Sequence, residues 1–184
     1  DKPAKTTMLF SVRRSYLQLL FELIGLPIRP DYWDYQWKIN HEIDAYNTLV
    51  FLGLGTIDDF SVKAPDNFDA EQQATIEQVP IIQQKTITVG VSWKKKFKNG
   101  KGSMITSVST NRLQNVFSRF KDNTKKSGVL FQNDSHEQET KLRFQTQHYL
   151  DQWKVAAGTN IQYSDYGNNT QSLLYNLDYK TGIN

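Results

Sequence analysis

Between residues 85 and 97 the side chains of Ile87, Val89, Val91 and Trp93 alternate with Thr86, Thr88, Gly90 and Ser92. Successive side chains on a β-strand point to opposite sides, so this period of two predicts a strand with one apolar and one polar face. The apolar face ends in a Trp, and the polar turn Lys98-Asn99-Gly100-Lys101 follows at once. An Asn-Gly pair suits the φ > 0 positions of a tight hairpin turn. Residues 85–97 are therefore expected to form one arm of a hairpin, with Asn99 and Gly100 at its tip in that conformation.

The pattern recurs, and about eight strands are expected. The first covers residues 6–14, with Met8, Phe10 and Val12 on one face. The second covers 32–40, where Trp33, Tyr35, Trp37 and Ile39 oppose Asp34, Gln36 and Lys38. The third, 48–57, is apolar on both faces around Gly53 and Gly55, which leaves its facing open. The fourth is 85–97, and the fifth, 102–111, alternates weakly. In the sixth, 137–149, Leu142 and Phe144 oppose Lys141, Arg143, Gln145 and Gln147. In the seventh, 153–164, Trp153, Val155, Ala157, Ile161 and Tyr163 oppose Lys154, Gly158, Asn160 and Gln162. The eighth, 173–181, sets Leu173, Tyr175, Leu177 and Tyr179 against Asn176, Asp178 and Lys180.

The connections fall into two classes. Short turns are expected at 40–47, 98–101 and 150–152, and long loops at 15–31, 58–84 and 111–136, with a Gly/Asn-rich gap at 165–172. Strict alternation of short and long connections suits an antiparallel transmembrane β-barrel, whose periplasmic turns are short and outer loops long. Aromatic pairs near the strand ends (Trp33 and Tyr35, Trp93 and Phe97, Trp153 and Tyr163, Tyr175 and Tyr179) fall where interfacial girdles lie. A soluble β-sandwich with irregular loops is the competing fold. Within 15–26, Leu17, Leu20, Phe21 and Ile24 recur at helical spacing, Ser15 is placed to cap, and Gly25 and Pro27 to stop. A short helix at the barrel mouth or in its lumen, or a strand continuation, fits there.

Composition agrees with a strand-rich wall wet on one side. The 184 residues have 12% aromatic content, yet a mean hydropathy of −0.60. No run nears the ~18 apolar residues of a membrane helix. A net charge of +3 is too mild to argue for nucleic acid, so no nucleic-acid partner is expected. With no Cys, disulfides and thiolate metal sites are excluded.

Local words add a family likeness. Ser11-Val12-Arg13-Arg14-Ser15-Tyr16-Leu17 is followed by Leu26-Pro27 and Tyr32-Trp33-Asp34-Tyr35-Gln36. Next come Leu52-Gly53-Leu54-Gly55, Asp58-Asp59-Phe60 and Val89-Gly90-Val91-Ser92-Trp93-Lys94. In this order they resemble the early-to-middle barrel of TonB-dependent outer-membrane receptors of the Bacteroidota type, over nearly the whole chain. The resemblance implies a 22-stranded barrel with an N-terminal plug. Such a barrel actively imports a scarce nutrient (siderophore-bound iron, cobalamin, a glycan or a peptide) using energy delivered through TonB. About eight strands cannot close such a barrel, the plug is absent, and the chain lacks the family's terminal aromatic. It is therefore expected to be an internal segment of one barrel domain in the outer membrane of a Gram-negative cell. The expected partners are outer-membrane lipid, the rest of its own barrel and plug, the TonB complex through that plug, and a surface lipoprotein.

No catalytic constellation is visible, and a non-enzyme without cofactor is expected. His41 in a short turn, His136 in a long loop and His148 do not cluster, which argues against a shared metal site. Asp58, Asp59, Asp66 and Asp69 make an acidic loop without the fixed spacing of a calcium loop. Ser11 and Ser15 lack a nucleophile elbow. Glu137 and Glu139 read as lumen-facing solubilising charges rather than a glycosidase pair. Lys94-Lys95-Lys96-Phe97-Lys98 reads as a solvated turn, with lipid headgroups as the second reading. Arg13 and Arg14 must point to opposite faces, one to the lumen and one to the lipid interface. Selectivity is expected in the loops 58–84 and 111–136, with no individual ligand residue assigned. The alternatives are a passive porin or small structural barrel, and a soluble β-sandwich binding module.

Overall fold

The computed structural model describes residues 5–62 and 76–174. Seven strands follow one another as an antiparallel meander: β1 (Lys5–Arg14), β2 (Ile28–Glu42), β3 (Asn47–Val62), β4 (Ile81–Lys96), β5 (Gly102–Asp122), β6 (Ser127–Leu150) and β7 (Trp153–Ser172). They form one sheet in the order β1-β2-β3-β4-β5-β6-β7, and the sheet is not closed. The all-β antiparallel class expected from the alternation is the class found. Helix α1 (Leu17–Leu23) joins β1 to β2, inside the range its apolar spacing marks out. Ser15 acts there through an Oγ that accepts the Leu17 N–H at 3.2 Å, although Tyr16 occupies the N-cap position. Gly25, at φ 74°, supplies the left-handed residue that ends it.

Four expectations need correction. Residues 111–136 are not a long loop. β5 and β6 run through them as paired strands, and the hairpin turns only at 123–126. Likewise 165–172 belongs to β7 and pairs with β6 from Asp165↔Gln138 to Ser172↔Phe131. Long and short connections therefore do not alternate strictly. The strands were hidden because polar and apolar positions do not alternate in these segments. What holds them is the hydrogen-bonded ladder and local packing, such as the edge-to-face contact of Phe117 with Phe131 at 5.7 Å. In the turn after β4, only Gly100 adopts positive φ, at 70°. Asn99 contributes its side chain instead, Oδ1 accepting the Lys101 N–H at 3.0 Å. Of the eighth strand expected at 173–181, Leu173 and Leu174 follow β7 without strand structure, and 175–181 lie outside the described residues.

The sheet is a single layer, and no second sheet covers either face among the described residues. Among the described residues the buried apolar side chains are Pro27, Ile76 and Ile81, and of these Ile81 alone belongs to the sheet, while Phe10, Val12, Trp153, Ile161 and Tyr163 are each at least half exposed. A soluble two-layer fold instead buries one face of each sheet. Val89 and Val91, which a sandwich would bury, are each 37% exposed.

Strand β3 acquires its facing from its neighbour. Gly53 and Gly55 lie on the same face as Trp37 and Tyr35 of β2, whose rings lie across them. A Cβ on Gly53 would overlap the Trp37 indole, and one on Gly55 would meet the Tyr35 ring and stand 2.7 Å from the Thr86 carbonyl oxygen. A ring can swing aside, but a strand carbonyl in a ladder cannot. Gly55→Ala is therefore expected to cost about 1–3 kcal/mol as an overpacking change, and more than Gly53→Ala. Denaturant unfolding of the two variants checks the ranking.

Candidate functional site

The register aligns one residue from each strand into rows that cross the sheet. The row Met8–Ile39–Phe51–Val91–Val108–Leu142–Ile161 is apolar at all seven positions. The adjacent row, one residue along and on the opposite face, reads Thr7–Asn40–Val50–Ser92–Ser107–Arg143–Asn160 and is polar at six of seven. Two chemically opposite faces thus run across strands spread over more than 150 residues. The polar face is the concave one, since two clefts of the sheet open on it. The larger, of about 930 Å³, is lined by Ser107, Ser109, Lys141, Arg143, Asn160 and Gln162 among others.

On the convex face the apolar side chains form a belt that crosses the strands obliquely. On β3 it runs from Ile57 to Leu49, and on β7 from Tyr163 to Trp153. Tyr163 lies in the row of Gly53, four residues from Ile57 toward the short turns. At ~3.4 Å per residue and ~4.8 Å per strand, that offset gives a tilt of about 35° between strands and belt normal. The lower edge gives about 45°. Strands of membrane barrels tilt by ~35–45°. The belt covers eight residue steps on β3 and ten on β7. After tilt correction its height is about 21–26 Å, close to the ~25 Å apolar band of outer-membrane barrels.

Charged and aromatic groups mark both edges. Above the belt, Arg14 pairs with Asp31 through two contacts of 3.2 Å, and its guanidinium lies 4.9 Å from the Trp33 ring centre. Arg13, on the polar face, donates to Asp34 at 2.9 Å. The two arginines do face opposite sides, and each is held by a carboxylate of β2. Below the belt, Trp93 donates from Nε1 to Asn47 Oδ1 at 3.2 Å, and Lys95 stands 5.6 Å from the Trp93 ring centre. Lys94 and Lys96 share the polar face.

The short turn at 43–46 is fixed by Asp44. Its carboxylate accepts two bonds from the Asn47 amide side chain, at 2.8 and 2.9 Å, and the Tyr46 N–H at 2.7 Å. The Asn47 bonds, then the Tyr46 N–H, hold its carboxyl below the ordinary carboxylate range. A depressed folded-state pKa gives stabilisation that is complete above the unfolded-state value and disappears as pH falls through the folded-state value. Asp44→Ala is thus expected to weaken the protein at neutral pH and to match the unaltered chain in strong acid. Unfolding curves at a series of pH values report the convergence.

The remaining candidates do not converge. His41 lies in β2 and meets Thr6 Oγ1 at 2.9 Å, while His148 stacks on Phe97 at 4.8 Å. His136 is in strand β6 rather than in a loop, and faces Asp165 at 3.8 Å. Asp58 and Asp59 lie in β3 rather than in a loop, and Asp66 and Asp69 fall outside the described residues. Ser11 sits on the polar face opposite Gln36. Glu137 and Glu139 are also on the polar face, where Glu139 accepts Lys141 at 2.6 Å and Gln162 at 2.9 Å. Among the described residues no three His, Asp or Glu side chains gather around a common metal position, and no helix is long and apolar enough to cross a membrane.

One residue with a strong structural role gave no signal in the sequence. Asn123, 1% exposed in the β5–β6 turn, donates to the carbonyls of Ile76 at 2.7 Å and Val79 at 2.9 Å, and accepts the Phe120 N–H at 3.0 Å. It fastens the segment leading into β4 to the tip of the longest hairpin. Comparison with protein-family models, curated proteins and solved structures returns no match to this chain.

Proposed function

We propose that this chain is a wall segment of an outer-membrane active importer whose energy is delivered through TonB. The observation that carries this reading is the seven-residue apolar row on a convex face backed by a polar concave one. A single-layer sheet with these faces needs lipid on one side and water on the other, and the tilt and height of the belt suit a barrel wall. β1 and β7 each leave one edge without a partner strand among the described residues, so further strands of the same barrel complete it. The chain performs no chemistry in this reading; its work is gated passage. Above the belt, β5 and β6 extend into a hairpin joined by Asn123 to the segment before β4, and in this reading selectivity is assigned to that end. Transport, plug, TonB coupling and a surface lipoprotein rest on the family resemblance of the sequence words.

Planar-bilayer recording on the complete polypeptide separates importer from porin. A plugged importer is expected to show no steady conductance until a chaotrope displaces the plug. A constant open conductance from the outset contradicts the importer and favours a passive porin.

A further inference from the structure

The upper edge of the belt over β4–β6 carries a contiguous patch of donors. Lys85 is cross-strand from Gln114, and Gln114 from His136. One row nearer the belt, Arg112 lies between Ile87 and Gln138. Lys85 and Arg112 are thus diagonal neighbours on adjacent strands of the convex face, with Ile87 and Val89 directly below. Elsewhere along this edge the cation is satisfied within the protein, as Arg14 is by Asp31. Among the described residues, Lys85, Arg112, Gln114 and Gln138 form no side-chain hydrogen bond or ion pair, and the two cations are exposed. The acidic neighbour is Asp59, diagonal to Lys85 across β3, whose carboxylate is bonded by Gln83 at 3.3 Å. No carboxylate is cross-strand or diagonal to Arg112 on this face.

Two exposed cations flanked by amide donors, one step above an apolar belt, match a phosphate held at headgroup height by a molecule whose chains lie along the belt. A guanidinium pairs with phosphate oxygens through parallel bonds, an ammonium adds a point charge, and the amides satisfy remaining oxygens. We propose that Lys85 and Arg112, assisted by Gln114 and Gln138, bind the phosphate of a lipid headgroup in the leaflet at the long-connection end. The occupant is a lipid rather than a free anion because the apolar floor of Ile87 and Val89 is continuous with the phosphate position. This assignment rests on the barrel-wall reading.

The test uses the complete polypeptide in maltoside micelles, titrated with fluorescent phosphatidic acid. At a contribution of one cation each, Lys85→Gln with Arg112→Gln is expected to weaken binding about thirty-fold. Lys95→Gln, at the opposite edge, is expected to leave it unchanged, and Lys85→Arg with Arg112→Lys to retain it within a few-fold. Heat-modifiable gel migration verifies that each variant keeps its barrel. Equal affinity of the double Gln variant and the unaltered protein overturns the site. Displacement of the lipid by millimolar inorganic phosphate overturns the choice of a lipid. A protein that is monodisperse without detergent overturns the wall reading and this inference together, whereas variant-insensitive binding by a detergent-requiring protein overturns the inference alone.

Discussion

An arginine placed at Val91 is expected to lower the folding free energy of the complete protein in lipid bilayers by about 2–4 kcal/mol, the range for a cation near the midplane of a barrel wall. Val91 lies in the apolar row, four residue pairs above the Asn47↔Lys95 end of its ladder with β3, and is 37% exposed on the convex face. The same substitution one residue on, at Ser92, changes the face. There the arginine joins Asn40, Ser107, Arg143 and Asn160 on the wet concave side, and the expected cost is below about 1 kcal/mol. Urea titration of both variants folded into vesicles measures the difference. The magnitude is set by the solvent the side chain meets, since neither position has a packed protein interior to disturb.

The second large effect is expected at Asn123. Alanine there removes the donor to the Ile76 and Val79 carbonyls and the acceptor of the Phe120 N–H, all at a position 1% exposed. Each buried polar group left without a partner costs about 1–3 kcal/mol. The loss is local, because residues 76–80 and the hairpin tip lie beyond the belt while the ladders of β4 and β5 are untouched. Hydrogen exchange is therefore expected to accelerate at 76–82 and around Phe120 by tenfold or more, with amides near Val91 unaffected. Asp at this position keeps the acceptor but not the donor, and is expected to fall with Ala. The segment and hairpin tip that Asn123 joins stand at the end where selectivity is proposed, so the variant also separates binding from wall integrity.

What the sequence made legible follows from where alternation has a physical cause. In β2, β4 and β7, and in the middle of β6, one face is apolar and the other wet, so period two appears directly in Trp33–Ile39, Ile87–Trp93 and Trp153–Tyr163. β3 resisted because Val50, Leu52 and Leu54 set apolar side chains on its concave face while Gly53 and Gly55 leave its convex face without any at those two positions. Its convex surface is supplied by Trp37 and Tyr35 of the neighbouring strand, a relation that single-strand periodicity does not contain. The outer halves of β5 and β6 resisted because no partition acts on them, so Asn115, Ser118 and Gln132 alternate with nothing. Turn chemistry was legible in kind, with Gly100 and Asn99 in different roles from those expected. Asn123 was illegible because its partners lie more than forty residues away.

These 184 residues contain no cysteine, so a single label can be placed at any of them once cysteines elsewhere in the complete protein are replaced. One cysteine at a time at Thr88, Val89, Gly90, Val91 and Ser92, each carrying an environment-sensitive fluorophore in the complete protein reconstituted into vesicles, measures what each face meets. Spin-labelled lipid is expected to quench the labels at 89 and 91, and a water-soluble quencher those at 88, 90 and 92. Labels at 89 and 91 that are shielded from both quenchers, or reached only from water, would contradict a lipid-facing wall and return the sheet to a soluble fold.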